Sequence, residues 1–209
     1  MKNSNVIQRY TTSERFNHWF VALCFFLAAF SGLAFFHPLF FWLSNLFGGG
    51  TWARILHPFF GTIMSILFLL WIARVWKENE LTAVDWEWAK HMQEILQNKT
   101  DNLPPVGKFN FGQKMLTKTL LVAVLLLSGS GVMIWQPYFA QEFTVETRRI
   151  AVLVHALSAF VAISGIIVHV YAAYWTRGAI RGMTQGFVSH AWAKHHCAGW
   201  YAERMGKEQ

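Results

Sequence analysis

A chain of 209 residues that is 54% hydrophobic and 17% aromatic, against 14% charged, is too apolar for an ordinary soluble domain and reads as a membrane protein. Its formal net charge of +7 would suit a polyanion, but the basic residues sit between long apolar runs and form no stripe interleaved with base-stacking aromatics, which excludes a nucleic-acid-binding module. Two distant cysteines, Cys24 and Cys197, lack any CxxC or CxxCH context, so the chain houses neither an iron–sulfur cluster nor a covalently attached haem.

Met1 to Asn17 is polar, with Lys2, Arg9, Glu14 and Arg15, and leads into a first predicted span over residues 18–36. That run starts too late and is too long for a signal h-region, and no small-x-small site closes it, so it is expected to be retained. The second span, residues 52–76, opens with Arg54 and His57-Pro58. Proline cannot donate its backbone N–H, which frees the Arg54 carbonyl and tends to kink or delimit the helix beside His57. Between spans two and three, Leu81 to Gln97 mixes Trp86, Trp88, Met92, Ile95 and Leu96 with charges at helical spacing, predicting a helix on the membrane surface. The third span covers residues 115–135 and the fourth 149–175; a basic, aromatic tail, 176–209, carries Trp192, Trp200 and Tyr201. No internal repeat or low-complexity segment divides the chain, which is read as one domain, residues 1–209.

Four spans put both termini on one side. Lys2, Arg9 and Arg15, the lysines and arginine between Arg74 and Lys118, and Arg177, Arg181, Lys194, Arg204 and Lys207 lie on that side; only Arg54, Arg148 and Arg149 lie on the other. By the positive-inside rule the termini and the long second loop are cytoplasmic, and the loops near 37–51 and 136–148 face outward. The predicted fold is all-α, an integral membrane four-helix bundle.

Within these apolar runs, histidines need explanation. His155 and His169 lie fourteen positions apart in span four, almost four helical turns and roughly 21 Å, so both leave one face. A single intramembrane histidine is as readily a helix–helix hydrogen-bond donor as a functional group. Depth, however, supplies a partner for each: His18 begins span one on the cytoplasmic side, level with His169, and His57 begins span two on the outer side, level with His155. Two facing imidazoles from different helices at two levels are what two non-covalently held b-type haems require. Gly32, fourteen positions after His18, shares its stripe at the outer level, where a missing side chain would let a porphyrin approach; Gly61, Gly129, Gly131 and Gly165 could serve similarly or simply pack helices. Arg54 is a candidate counter-charge for a propionate. His37, His91, His190, His195 and His196 lie outside the spans and read as surface residues, and the three adjacent positions His195-His196-Cys197 cannot all point at one ion.

At this point the chain resembles the cytochrome b, or gamma, subunit of bacterial respiratory formate dehydrogenases, particularly the nitrate-inducible enzyme. Ala53 to Gly61 is similar to that family's GRILHPFFG, Lys108 to Met115 to its KYNAGQKM, Gly131 to Gln141 to its GVIIWRPYFAQ, and Arg177 to His196 to its KGSIKGMIEGKVSRRWAKKHH. The similarity covers nearly the whole chain, and the family's haem ligands fall on His18, His57, His155 and His169. The resemblance implies a complex in which a molybdenum or tungsten catalytic (alpha) subunit oxidises formate outside and an iron–sulfur (beta) subunit passes electrons on. This subunit would carry them through two haems b to menaquinone, generating proton motive force. It places the menaquinone pocket on Asn110, Gly112, Gln113 and His169; the residues alone would present Asn110 to Gln113 only as a loop and helix cap. Phe111 stands where the family has a small residue, and Gln136 where it has arginine. Two other readings are the cytochrome b subunit of a nickel–iron hydrogenase or thiosulfate reductase, distinguished by neighbouring genes or co-purification, and a haem-free membrane anchor, distinguished by haem content.

Overall fold

A computed structural model of the chain describes residues 5–97, 99 and 103–206. Four long helices carry the predicted spans: α1 (Thr12–Phe36), α2 (Gly50–Val75), α5 (Phe111–Ile134) and α6 (Val145–Trp175). Each is long and apolar enough to cross a membrane. All four begin before the predicted apolar limit, and α1, α5 and α6 do so because their first turns are polar and capped. At α1 the Thr11 N–H donates to Glu14 at 2.7 Å while the Glu14 N–H donates to the Thr11 hydroxyl at 3.2 Å, a reciprocal capping box. Helix α2 runs unbroken through Pro58, so the proline does not delimit it. Thr62 donates its hydroxyl to the Pro58 carbonyl at 2.7 Å.

The chain divides into two compact units. One, Phe16–Ala73 with Thr119–Val168, holds most of the four long helices. It buries small residues and serines (Ser31, Ala53, Ser44, Ala162) and exposes large apolar ones such as Leu70, Leu153, Leu157 and Phe160. This inversion is stable only if lipid, not water, meets the outward faces. Cys24, Met64 and Val124 pack at its centre with Val21, Phe25 and Phe68 around them. The Ser128 and Ser65 hydroxyls meet at 2.9 Å. The connection after α1 is a 3-10 helix, Pro38–Phe47, started by His37, whose ring accepts from the Leu39 N–H, and closed by Gly48 at φ 85°.

The other unit is Met1–Arg15, Arg74–Lys118 and His169–Gln209. It contains elements the sequence reading did not anticipate. Strand β1 (Val6–Gln8) pairs antiparallel with β2 (Phe187–Ser189), Ile7 opposite Val188. Around this sheet lie α7 (Ala179–Gln185), α8 (His190–His196) and α9 (Ala198–Gly206), with a core of Ile7, Val188, Ala193, Cys197 and Trp200. Arg9 is buried at its centre: its guanidinium donates to Cys197 Sγ at 2.9 Å and to the Lys108 carbonyl, and sits 5.1–5.4 Å from the ring centroids of Tyr10, Trp192 and Trp200. The predicted surface helix is two short ones, α3 (Ala83–Lys90) and α4 (Met92–Leu96), separated at His91. Thr82 and Asp85 cap α3 reciprocally, and the buried Asp85 carboxylate accepts from Lys114 of α5 at 2.7 Å.

Candidate haem and quinone site

His57 lies in the second turn of α2 and His155 in the third turn of α6. Their rings face each other with centroids 6.1 Å apart and 69° between planes. Two imidazoles bound to one iron from opposite sides, each at about 2 Å, would place their centroids roughly 6 Å apart, so the separation fits a shared haem iron.

The hydrogen bonds of the two rings fit it as well. Nδ1 of His57 lies 3.1 Å from the Ala28 carbonyl oxygen and 3.0 Å from Ser31 Oγ, both on α1. Nδ1 of His155 lies 3.0 Å from Ser130 Oγ on α5, and the Leu127 carbonyl also bonds to that ring. Both serine protons are already committed to their own helices: Ser31 donates to the Leu27 carbonyl at 2.7 Å, Ser130 to the Leu126 carbonyl at 2.6 Å. Carbonyls accept only, and a hydroxyl whose proton is spent also accepts, so Nδ1 carries the hydrogen in both rings. The lone pair is then on Nε2 in each, the nitrogen left for a metal.

Glycines let the helices close on these rings. A Cβ on Gly32 would stand 3.1 Å from Cε1 of His57, and one on Gly131 3.3 Å from Cε1 of His155. The sequence reading expected Gly32 to admit a porphyrin; in the structure the protein atom nearest its Cβ position is Cε1 of His57. Among the described residues, a Cβ on Gly61 or Gly129 would meet no protein atom within 4 Å. Phe35 closes edge-on against His57, with centroids 6.1 Å apart. Arg54, three residues before His57, is exposed in the first turn of α2.

His18 lies on α1, edge-to-face with Trp19 at 5.1 Å, and His169 lies near the end of α6. They fall in different compact units, and their pairing rests on depth in the sequence.

At the start of α5, Asn110 and Gln113 cap the helix reciprocally. The Asn110 N–H donates to Gln113 Oε1 at 3.1 Å, and the Gln113 N–H donates to Asn110 Oδ1 at 3.0 Å. These bonds use only the carbonyl oxygens, leaving two side-chain NH2 groups as donors, with Gly112 between them. Phe111 packs its ring against Trp86 of α3, centroids 5.2 Å apart. Just before the cap, the buried Lys108 ammonium lies 3.2 Å from Glu78 and 3.6 Å from Glu14.

Sequence reasoning missed Ser31 and Ser130. Each immediately precedes a glycine, but so do Ser128 in span three and Ser164 in span four, so the dipeptide does not single them out.

Comparison with known proteins gives the family. The prokaryotic cytochrome b561 family profile matches residues 9–186. The formate dehydrogenase cytochrome b556(fdo) subunit of Escherichia coli K12 is 43% identical over 97% of this chain and 95% of its own length. The cytochrome b556 subunit of Haemophilus influenzae formate dehydrogenase is 40% identical over 98% and 86%. The nitrate-inducible formate dehydrogenase cytochrome b556(Fdn) subunit of E. coli K12 is 39% identical over 97% and 94%. With four apolar spans, two opposed imidazoles presenting the same nitrogen, and a family match across most of its length, this chain belongs to the prokaryotic cytochrome b561 family.

Proposed function

We propose that the chain is the dihaem cytochrome b subunit of a respiratory formate dehydrogenase in a bacterial inner membrane. The observation that carries this reading is the opposed His57/His155 pair, both rings held by Nδ1 with Nε2 left for iron. All 209 residues act as one cytochrome domain with both termini in the cytoplasm, the orientation the basic residues favour.

His57 and His155 hold the outer haem, and His18 and His169 the inner one. Two haems b, when bound, supply reversible one-electron transfer through the thickness of the membrane. An iron–sulfur subunit outside delivers electrons at the His57/His155 level, having received them from the molybdenum or tungsten subunit that oxidises formate. The relatives' names supply the formate dehydrogenase complex, and the two partner subunits are carried over from the family resemblance. On the cytoplasmic side menaquinone is the acceptor. Asn110 and Gln113 donate side-chain N–H bonds to its carbonyls, Gly112 gives the ring room, and His169 lines the pocket beside the inner haem. Protons for the reduced quinone come from the cytoplasm, so negative charge crosses the membrane inward without a proton channel.

The test is purification of the membrane complex through a tag on this chain, followed by a haemochrome assay and subunit identification. Two haems b per chain, reducible by formate and co-purifying with an iron–sulfur and a molybdenum or tungsten subunit, are expected. One haem or none, or a hydrogenase in place of the formate-oxidising subunit, refutes the reading.

A further inference from the structure

Ser31-Gly32 on α1 and Ser130-Gly131 on α5 make the same contacts to two different histidines. In each, the serine oxygen meets Nδ1 at 3.0 Å, and the following glycine leaves room for Cε1, at 3.1 Å from its Cβ position in one case and 3.3 Å in the other. In each, the hydroxyl proton goes to the carbonyl four residues back. A serine in a membrane helix ordinarily does no more than this back-bonding. Ser128, two residues before Ser130, is such a case, bonding to the Val124 carbonyl and meeting Ser65. Ser31 and Ser130 differ because their remaining lone pairs face a ring N–H. With its proton pulled toward the backbone, each hydroxyl is a better acceptor than an isolated one.

We propose that these two Ser-Gly steps are positioning elements for the outer haem: they fix the rotation of both axial imidazoles and set the potential of the iron that His57 and His155 hold. The proposal rests on the ligand assignment above. A ring that donates from Nδ1 to an acceptor becomes a more basic ligand at Nε2, which favours the oxidised metal. Two such acceptors, one per ligand, act on the same iron in the same direction. The carbonyls of Ala28 and Leu127 also accept from the rings, so they maintain the tautomer without the hydroxyls. The serines therefore tune, and ligation survives their loss. The glycines set the rotation, since a methyl at either position would press on Cε1 and turn the ring about its bond to the side chain. The 69° between the planes is a near-crossed arrangement, which gives low-spin ferric haem a strongly anisotropic resonance.

The experiment uses the purified complex with Ser31→Ala, Ser130→Ala, the double variant, and Ser31→Thr/Ser130→Thr. Redox titration and electron paramagnetic resonance are read alongside haem content. Each alanine variant should keep two haems per chain and raise the potential of one haem only, with the double variant shifting it further. The threonine pair should titrate as wild type. An alanine variant that sheds the outer haem while its threonine counterpart keeps it counts against the proposal, since the hydroxyl would then hold the haem and not tune it. The proposal is also overturned if the double alanine variant keeps both haems with unmoved potentials and resonance, or if threonine and alanine lose the haem alike, since size and not the hydroxyl would then matter. His57→Ala separates this failure from that of the parent reading. If that variant still holds both haems, the ligand assignment is at fault.

Discussion

Asn110 and Gln113 cap α5 and are proposed to bind quinone as well, and conservative acids separate the two roles. Their carbonyl oxygens cap α5 at 3.0 and 3.1 Å, whereas their NH2 groups are the proposed donors to menaquinone. Alanine at both positions removes cap and donors together, costing about 1 kcal/mol of helix stability for the cap alone, so a slow variant would be ambiguous. Asn110→Asp and Gln113→Glu keep an acceptor oxygen at each position and remove the donor. A carboxylate in the first turn also favours the helix, by roughly 0.3–1 kcal/mol. A neutral hydrogen bond contributes about 1 kcal/mol; at about 1.4 kcal/mol per tenfold, each acid should weaken quinone reduction roughly fivefold and the pair roughly thirtyfold. The assay is stopped-flow reoxidation of the formate-reduced haems by a menaquinone analogue, with a thermal melt of the same preparation. Unchanged melting, unchanged haem reduction by formate and slower reoxidation are expected. If the Asp/Glu double variant reoxidises at the wild-type rate, the amides serve the helix alone and the quinone binds elsewhere.

Three further outcomes are expected. His57→Ala and His155→Ala should each remove the same haem and His18→Ala the other, as read by haemochrome and resonance spectra; loss of one and the same haem in all three refutes the pairing. Asp85→Ala should strand the buried Lys114 ammonium, 2.7 Å from that carboxylate, and destabilise the unit containing α3 by about 3 kcal/mol or more, measured by protease susceptibility at the α3–α4 segment. Burial acts to raise the Asp85 carboxyl, but Lys114 and the Thr82 N–H and hydroxyl outweigh it and hold it below its ordinary value of 3.8. The stabilisation is thus present above about pH 4 and is lost as pH falls through the lowered value, so the same segment should become protease-sensitive in acid. Turnover should also build a potential positive outside: in oriented vesicles with formate on the outer face and a menaquinone analogue as acceptor, protons should disappear from the cytoplasmic side. Moving each charge across costs about 2.3 kcal/mol per 100 mV, which a strongly reducing donor can supply. Proton loss from the outer compartment with no voltage would refute the mechanism.

Hydropathy alone located the four spans, because a helix facing lipid is apolar on every side and no periodicity has to be deciphered. It put the start of α1 at His18 and not Thr12 since the capped first turn, Thr12 to Arg15, is polar. Depth brought His57 and His155 to one level, and their rings do face each other. What depth could not give was the azimuth of each helix, so the closeness of Gly32 to Cε1 of His57 was not foreseen. Ser31 and Ser130 stayed invisible for a related reason: a membrane-helix serine satisfies itself on its own backbone, and nothing in one strand of sequence says which neighbour meets its second lone pair. The sheet was missed because each strand has three residues and its partner lies about 180 positions away. Arg9 was counted for topology, although its charge is buried among three aromatic rings.

That sheet also imposes an order in time. Residues 6–8 leave the ribosome long before residues 187–189 exist, and at roughly 5–20 residues per second the wait is on the order of ten seconds or more. Through that interval β1 has no partner strand, and Arg9 lacks Cys197, Trp192 and Trp200. Closure of this unit is therefore reached only after the fourth span has emerged. A chain halted anywhere before Phe187 would present an open strand and an Arg9 guanidinium without Cys197, Trp192 and Trp200. The sheet thus works as a seal on completeness, and pulse-chase of a chain stopped at Gln185 should show it cleared faster than one carrying β2.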